Sequence, residues 1–339
     1  MAPTGAAAPL QLYDVAELQA EVRALARERD AVILAHNYQL PEIQDVADYV
    51  GDSLGLSRQA AASEASVIAF CGVHFMAETA SVLSPDKTVL IPDLDAGCSL
   101  ADAITPAQLR DWQAQHPGAI TVMYVNTTAE IKAMTDYCVT SANAVSVVEH
   151  ILREHGDDTE ILFGPDMFLG AYVERRIGRA LHVWDGECHV HAGIRPRDIE
   201  QVRERHPGAD FLIHPECGCS TSIMEYVAAG DLEPDGVHML STGGMLRYAA
   251  DAAAADADPS RPRRKAIVAT EIGMLHPLRE AAPDTEFIAA NERAACTYMK
   301  MITLPKLRDG LRDLVHEVKV PADVAERARI PIERMIAIS

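Results

Sequence analysis

The 339 residues carry 30 Lys and Arg against 50 Asp and Glu, a formal net charge of −20. Nucleic acid and anionic membrane surfaces are bound through clustered cations, so this balance argues against both as partners; the one basic run, Arg261 to Lys265, reads as a solvated loop. With 48% hydrophobic residues, only two Trp and no apolar stretch near the ~20 residues that cross a bilayer, the chain is expected to build an aliphatic α/β core divided into two or three domains.

The opening MAPTGAAAPL has neither a positive start nor a long apolar segment, so residues 1–14 read as a flexible tail and the protein as cytoplasmic. Seven cysteines, an odd number, suit a reducing compartment. A first unit, 15–103, sends the apolar run AVILAHNY into His36, Asn37 and Tyr38, passes Ser53 and the run SVIAFCG, and ends in TVLIPDLDAGC at Cys98. A second, 104–193, opens on the helix-like ITPAQLRDWQAQ, closes it with HPGA, and runs through AITVMYVN, with Tyr124 and Asn126, to Ser141, EILFGPD and ALHVWDGEC at Cys188. The third, 194–297, repeats the plan with IRPRDIEQVRER, HPGA, ADFLIHPE with His214 and Glu216, then Ser241 and Thr242, AIVATEIG, and TEFIAANERAAC at Cys296. Its extra length includes ADAAAADADPSRPRR, read as a surface loop. Residues 298–339 are expected to form a helical segment packing back on the first domain.

The repeat is metrical: Cys98, Ile104 and Pro106 recur 90 residues later as Cys188, Ile194 and Pro196. Short β-rich runs alternating with helical patterns indicate βαβ units and parallel sheets. The expected fold is therefore α/β, with three pseudo-threefold related α/β/α domains, each holding a small parallel sheet, around a central active site. Functional groups collect beyond the carboxyl ends of parallel strands, where every polar exit named above lies. Ser53, Ser141, Ser241 and Thr242 stand near helix starts, either as N-caps or as hydroxyls that join backbone N–H groups in holding an anion.

Three cysteines brought together by such a repeat suggest a metal cluster. Structural zinc takes four ligands, often in CxxC pairs, and no CxxC occurs here. Three thiolates far apart in sequence suit a four-iron four-sulfur cluster with one iron lacking a protein ligand, because the cluster itself spans the gap between domains. Cys71 and Cys138, in apolar surroundings, read as buried small hydrophobes; Cys217 and Cys219 in HPECGC stay open between a redox pair and alternative ligands. Two other functional readings remain at this point. One is a sensor whose metal is structural and whose HPECGC thiols respond to oxidation. The other is a mononuclear zinc hydrolase built on His36, His214 and Glu216.

The strings AHNYQLPEIQDVADYVGDSLGLS, AGCSLAD, MYVNT, VTSAN, WDGECHVH, HPECGCS, STGGM, ATEIGMLH and ACTYMKMITL, spanning Ala31 to Leu304, together resemble the quinolinate synthase family. The resemblance implies three α/β domains with a four-iron four-sulfur cluster at their junction, in a pathway that builds the NAD ring. It implies a reaction in which iminosuccinate condenses with dihydroxyacetone phosphate, releasing phosphate and two waters as quinolinate closes. A transient contact with the enzyme that supplies iminosuccinate is a further expectation. The cluster ligands implied are Cys98, Cys188 and Cys296. The substrate contacts implied are His36, Tyr38, Ser53, Tyr124, Asn126, Ser141, His214, Glu216 and Thr242. Some family members place the last cysteine in a CxxCxxC run; here Arg293 and Ala290 occupy those places, so a disulfide switch on that run is not available. For the chemistry, Glu216 and Tyr38 are expected to transfer protons and the open iron to act as Lewis acid. His36, His214, Ser53, Ser141 and Thr242 would hold carboxylate and phosphate oxygens, while Tyr124 and Asn126 close the pocket. His191 and Glu271 are expected near the same cavity, with polar packing and an ion pair as their alternatives.

Overall fold

The computed structural model describes residues 14–229, 235–255 and 263–338. Three four-stranded parallel sheets carry the fold. The first contains β1 (Ala31–His36), β2 (Tyr49–Gly51), β3 (Val67–Cys71) and β4 (Thr88–Leu90). The second contains β5 (Ile120–Tyr124), β6 (Tyr137–Val139), β7 (Ile161–Gly164) and β8 (His182–Val183). The third contains β9 (Asp210–Ile213), β10 (Val237–Met239), β11 (Lys265–Ala269) and β12 (Glu286–Ala289). Each has the spatial order second, first, third, fourth, so the expected architecture of three like α/β units is the one observed. The chain leaves the first strand toward one side and returns on the other, which opens a crevice at the carboxyl ends of the two central strands.

Burial explains the strand sequences. All five residues of β3 and all but the first of β1 are buried, because helices cover both faces and a polar side chain there would lack partners. The apolar runs seen in the sequence are the first, third and fourth strands of each sheet. The second strands are three residues long, too short to show a pattern, and sequence reasoning missed them. The repeated HPGA also has a local cause. Helices Pro106–Gln115 and Pro196–Arg205 start on proline and end at His116 and His206, whose φ values are −128° and −130°. The glycines that follow, Gly118 and Gly208, then turn the chain at φ 90° and 78°, a conformation costly for any residue with a Cβ.

The expected tail falls almost wholly outside the described residues. The loop ADAAAADADPSRPRR needs correcting: its first six residues extend the helix Thr242–Ala255, because an alanine run favours helix over loop, while 256–262 lie outside the described residues. At the C-terminus, helix Leu304–Asp313 packs on Val15–Glu28, and helix Ala322–Ala337 lies against His74–Leu83 of the first unit and both Ala129–Lys132 and β6 of the second. Asn143 Nδ2 donates to the carbonyls of Met335 and Ile338, each at 2.9 Å, and thereby ties the terminal helix to the second unit.

Candidate active site

The carboxyl ends of the three sheets line one shared cavity. Its wall includes all the substrate contacts and cluster ligands that the resemblance implies: His36, Tyr38 and Ser53 from the first unit; Tyr124, Asn126 and Ser141 from the second; His214, Glu216 and Thr242 from the third; and Cys98, Cys188 and Cys296, while Ser241 lies outside it. His191 and Glu271 join them there.

Each of these cysteines is a free, half-buried thiol placed just ahead of a one-turn helix: Ala101–Ala103, His189–Ala192 or Met299–Met301. The N–H groups of Leu100 and Ala101 point at the Cys98 sulfur, and those of Tyr298 and Met299 at Cys296. Backbone donors beside Cys98 and Cys296 favour their thiolates. Burial, and after it the charge of neighbouring Cys188, pushes the thiols of Cys98 and Cys296 up. The trio is absent from the side-chain groups gathered within 4.8 Å among the described residues. A single zinc holds its sulfurs at about 2.3 Å and would draw all three closer than this, whereas three free thiols lining one cavity are the donor type that holds an iron–sulfur cluster. His36, His214 and Glu216 are likewise not gathered at single-ion spacing; the group that is comprises Cys188, His191 and Glu216.

Two histidines are oriented by the same backbone device. The N–H of Tyr38 donates to His36 Nδ1 at 3.2 Å and that of Glu216 to His214 Nδ1 at 3.4 Å, which assigns the imidazole proton to Nε2 in both. Burial brings His36 down to about 3 and His214 down to about 4, so both are neutral donors at pH 7. The Nε2 of His214 lies 3.1 Å from Ser141 Oγ. Ser53 and Thr242 are the first residues of their helices, capped instead by Asp52, which accepts from Gly55 N at 2.8 Å, and by Ser241, which accepts from Gly244 N at 3.2 Å. Their hydroxyls have no protein partner among the described residues and line the cavity at two helix N-termini. Asn126 Oδ1 is buried without a partner, an acceptor awaiting a donor.

A buried polar chain crosses the units. Tyr38 Oη lies 2.6 Å from Thr270 Oγ1 and 3.2 Å from His191 Nε2, and His191 Nδ1 lies 3.1 Å from Glu216 Oε2. Tyr124 donates its hydroxyl to Glu216 Oε1. Burial works against a charge on His191, yet Tyr38, Cys188 and Glu216 hold its pKa well above the ordinary imidazole value. Burial also opposes ionising Glu216, but the flanking histidines and Tyr124 reverse this and bring it down to about 2.

Sequence reasoning missed two groups here. Thr270 completes the Tyr38 and His191 contacts, and Asp166 Oδ2 accepts from the Cys188 N–H at 3.1 Å. Glu271 has the equivalent place in the third unit: its Oε1 accepts from Cys296 N at 3.0 Å and pairs with Lys300 Nζ at 3.0 Å. The signal lay in EILFGPD and AIVATEIG, where a carboxylate stands two residues after each strand. Cys71 and Cys138 are fully buried thiols. Cys217 and Cys219 form a disulfide with each other and lie fully buried in the apolar cluster of Ile194, Ile213 and Ile223, outside the cavity wall.

A family model described as quinolinate synthetase A protein matches residues 20–337. A quinolinate synthase of Thermus thermophilus is 54% identical over 321 residues, 95% of this chain and 97% of that protein. Those of Mycolicibacterium paratuberculosis strain K-10 and Mycobacterium tuberculosis strain H37Ra are each 55% identical, over 95% and 94% of this chain and 89% and 88% of theirs. By the match along nearly its whole length, the chain belongs to the quinolinate synthase family.

Proposed function

We propose that the chain condenses iminosuccinate with dihydroxyacetone phosphate to give quinolinate, phosphate and two waters, in the service of NAD synthesis in the cytoplasm. The observation that carries this reading is the convergence of three free cysteines and the polar exits of all three sheets on one cavity. Cys98, Cys188 and Cys296 would hold a four-iron four-sulfur cluster, which when bound supplies a Lewis acid at the iron without a protein ligand.

The chain's own residues account for the rest. His36 and His214 offer neutral N–H donors, and Ser53 and Thr242 add hydroxyls at two helix N-termini, together an anion site made without arginine. This explains how a protein of net charge −20 would hold two carboxylates and a phosphate. Glu216, ionised between Tyr124 and His191, takes protons from carbon; Tyr38 returns them to oxygen, with His191 linking the two. Asn126 and Tyr124 orient the condensing chain from the second unit. Iminosuccinate would reach the cavity through transient contact with the enzyme that makes it.

The test pairs activity with cluster content. Glu216→Gln and Tyr38→Phe should each lower quinolinate formation by at least ~100-fold while iron and sulfide remain at the wild-type level. Turnover near wild type in both variants removes them from the mechanism, and an iron-replete wild type that forms no quinolinate overturns the assignment.

A further inference from the structure

The outer edge of the second unit carries a group of side chains remote from the carboxyl ends of the strands. His116 Nδ1 lies 3.6 Å and His182 Nε2 lies 3.7 Å from the same Oε2 of Glu160. One ligand atom from each of the three falls within 4.8 Å of the others, and the two imidazole rings are 4.1 Å apart. These separations are too long for hydrogen bonds, and none of the three side chains makes one among the described residues. Two nitrogens and an oxygen therefore face a common point without satisfying one another. Ligands held about 2.0–2.2 Å from a tetrahedral zinc stand about 3.3–3.6 Å apart, so the group is within a small contraction of that geometry.

The three donors come from separate pieces of chain. His116 ends helix Pro106–Gln115, Glu160 immediately precedes β7, and His182 opens β8. His155 and Asp158 line the same shallow cleft beside His116 and Glu160. The internal repeat supplies a control. Ile120 pairs with Ile161 as Asp210 pairs with Ala266, and Leu162 pairs with His182 as Ile267 pairs with Ile288. The third unit therefore has Lys265 where the second has Glu160, and Ile288 where it has His182. His206 persists because it ends the matching helix, but the other two donors are not demanded by the fold.

We propose that His116, Glu160 and His182 form a binding site for a divalent transition-metal ion, with zinc the best match to two imidazoles and a carboxylate. The ion would fasten β8, an edge strand of two residues, to β7 and to the preceding turn. That strand leads directly into the segment ending at Cys188, so the brace would steady one of the cavity's cysteines from outside. The strongly acidic protein draws cations toward such a surface.

The test uses the anaerobically purified holoenzyme with its iron in place, titrated with zinc against a chromophoric chelator. Wild type should take up one zinc, and His182→Ala and Glu160→Gln should each bind it at least ~10-fold more weakly, the loss seen even for outer partners of metal sites. Zinc should raise the Tm of wild type and not of the variants, with iron content equal in all three. Zinc binding of equal strength in wild type and both variants, or a wild type that does not compete with the chelator, overturns the proposal.

Discussion

Asp166 accepts the backbone N–H of Cys188, and this bond fixes a cysteine through its main chain rather than its sulfur, at 3.1 Å. The same buried carboxylate also accepts from Phe168 and Leu169 N at 2.7 and 3.0 Å. Glu271 and Cys296 repeat the relation at 3.0 Å, whereas the first unit has Val73 at that place and no such carboxylate behind Cys98.

Asp166→Asn isolates this bond. Asparagine can still accept from the helix start through its carbonyl oxygen but presents an N–H₂ to the Cys188 N–H, leaving a buried donor unpaired at a cost of ~1–3 kcal/mol. Iron should leave this variant for a chelator about 10-fold faster than from wild type, with the far-ultraviolet circular dichroism unchanged. Equal rates of iron loss would show that Asp166 serves only as a helix cap.

The histidines set a pH dependence with a definite sign. His36 and His214 titrate at about 3 and about 4 in the folded chain against 6.5 ordinarily, so between those values the unfolded chain binds more protons. Their contribution to stability is whole above pH 6.5 and is lost as pH falls toward 4. A His36→Gln variant should therefore lose less Tm than wild type between pH 6.5 and 4. Because both rings are already neutral, binding of a dicarboxylate should not weaken from pH 6.5 to 8.5 through these residues; a loss of affinity over that span that disappears in His36→Gln would show that a charged imidazole is required.

Tyr124→Phe removes the hydroxyl donor to Glu216 without touching a cysteine. The carboxylate is then less stabilised and its pKa rises. The acid limb of the rate profile should move to higher pH, and turnover should fall by about 10- to 100-fold, with iron and sulfide retained. An unmoved acid limb would assign the base role elsewhere.

The terminal helix gives a prediction about stability alone. Met335 is fully buried where that helix meets the first two units. Met335→Ala should cost about 2–5 kcal/mol in chemical denaturation, and a cost under ~1 kcal/mol would mean that the helix docks loosely.

The sequence was legible wherever physics repeats. Cys98, Cys188 and Cys296 could be chosen because each lies at the same point of a unit, and His36, Tyr124 and His214 because each leaves the first strand of its sheet. What could not be read were contacts that only folding makes. Thr270 meets Tyr38 from 232 residues away, and nothing in a single threonine announces that. Glu271 is legible as a cavity residue and Asp166 is not, and in both cases it takes the fold to bring the N–H of the later cysteine back over the carboxylate. The second strand of each sheet escaped because a period of two needs more than three residues to declare itself. Ala250 to Ala255 was misread because Asp and Pro further along lent their loop character to an alanine-rich helix end.

The most direct measurement is iron and sulfide content after anaerobic purification of wild type beside Cys98→Ala, Cys188→Ala and Cys296→Ala. The account predicts about four iron and four sulfide per wild-type chain and loss of the brown chromophore in all three variants. A wild-type complement of iron in any one of them, or zinc in place of iron in wild type, would contradict it.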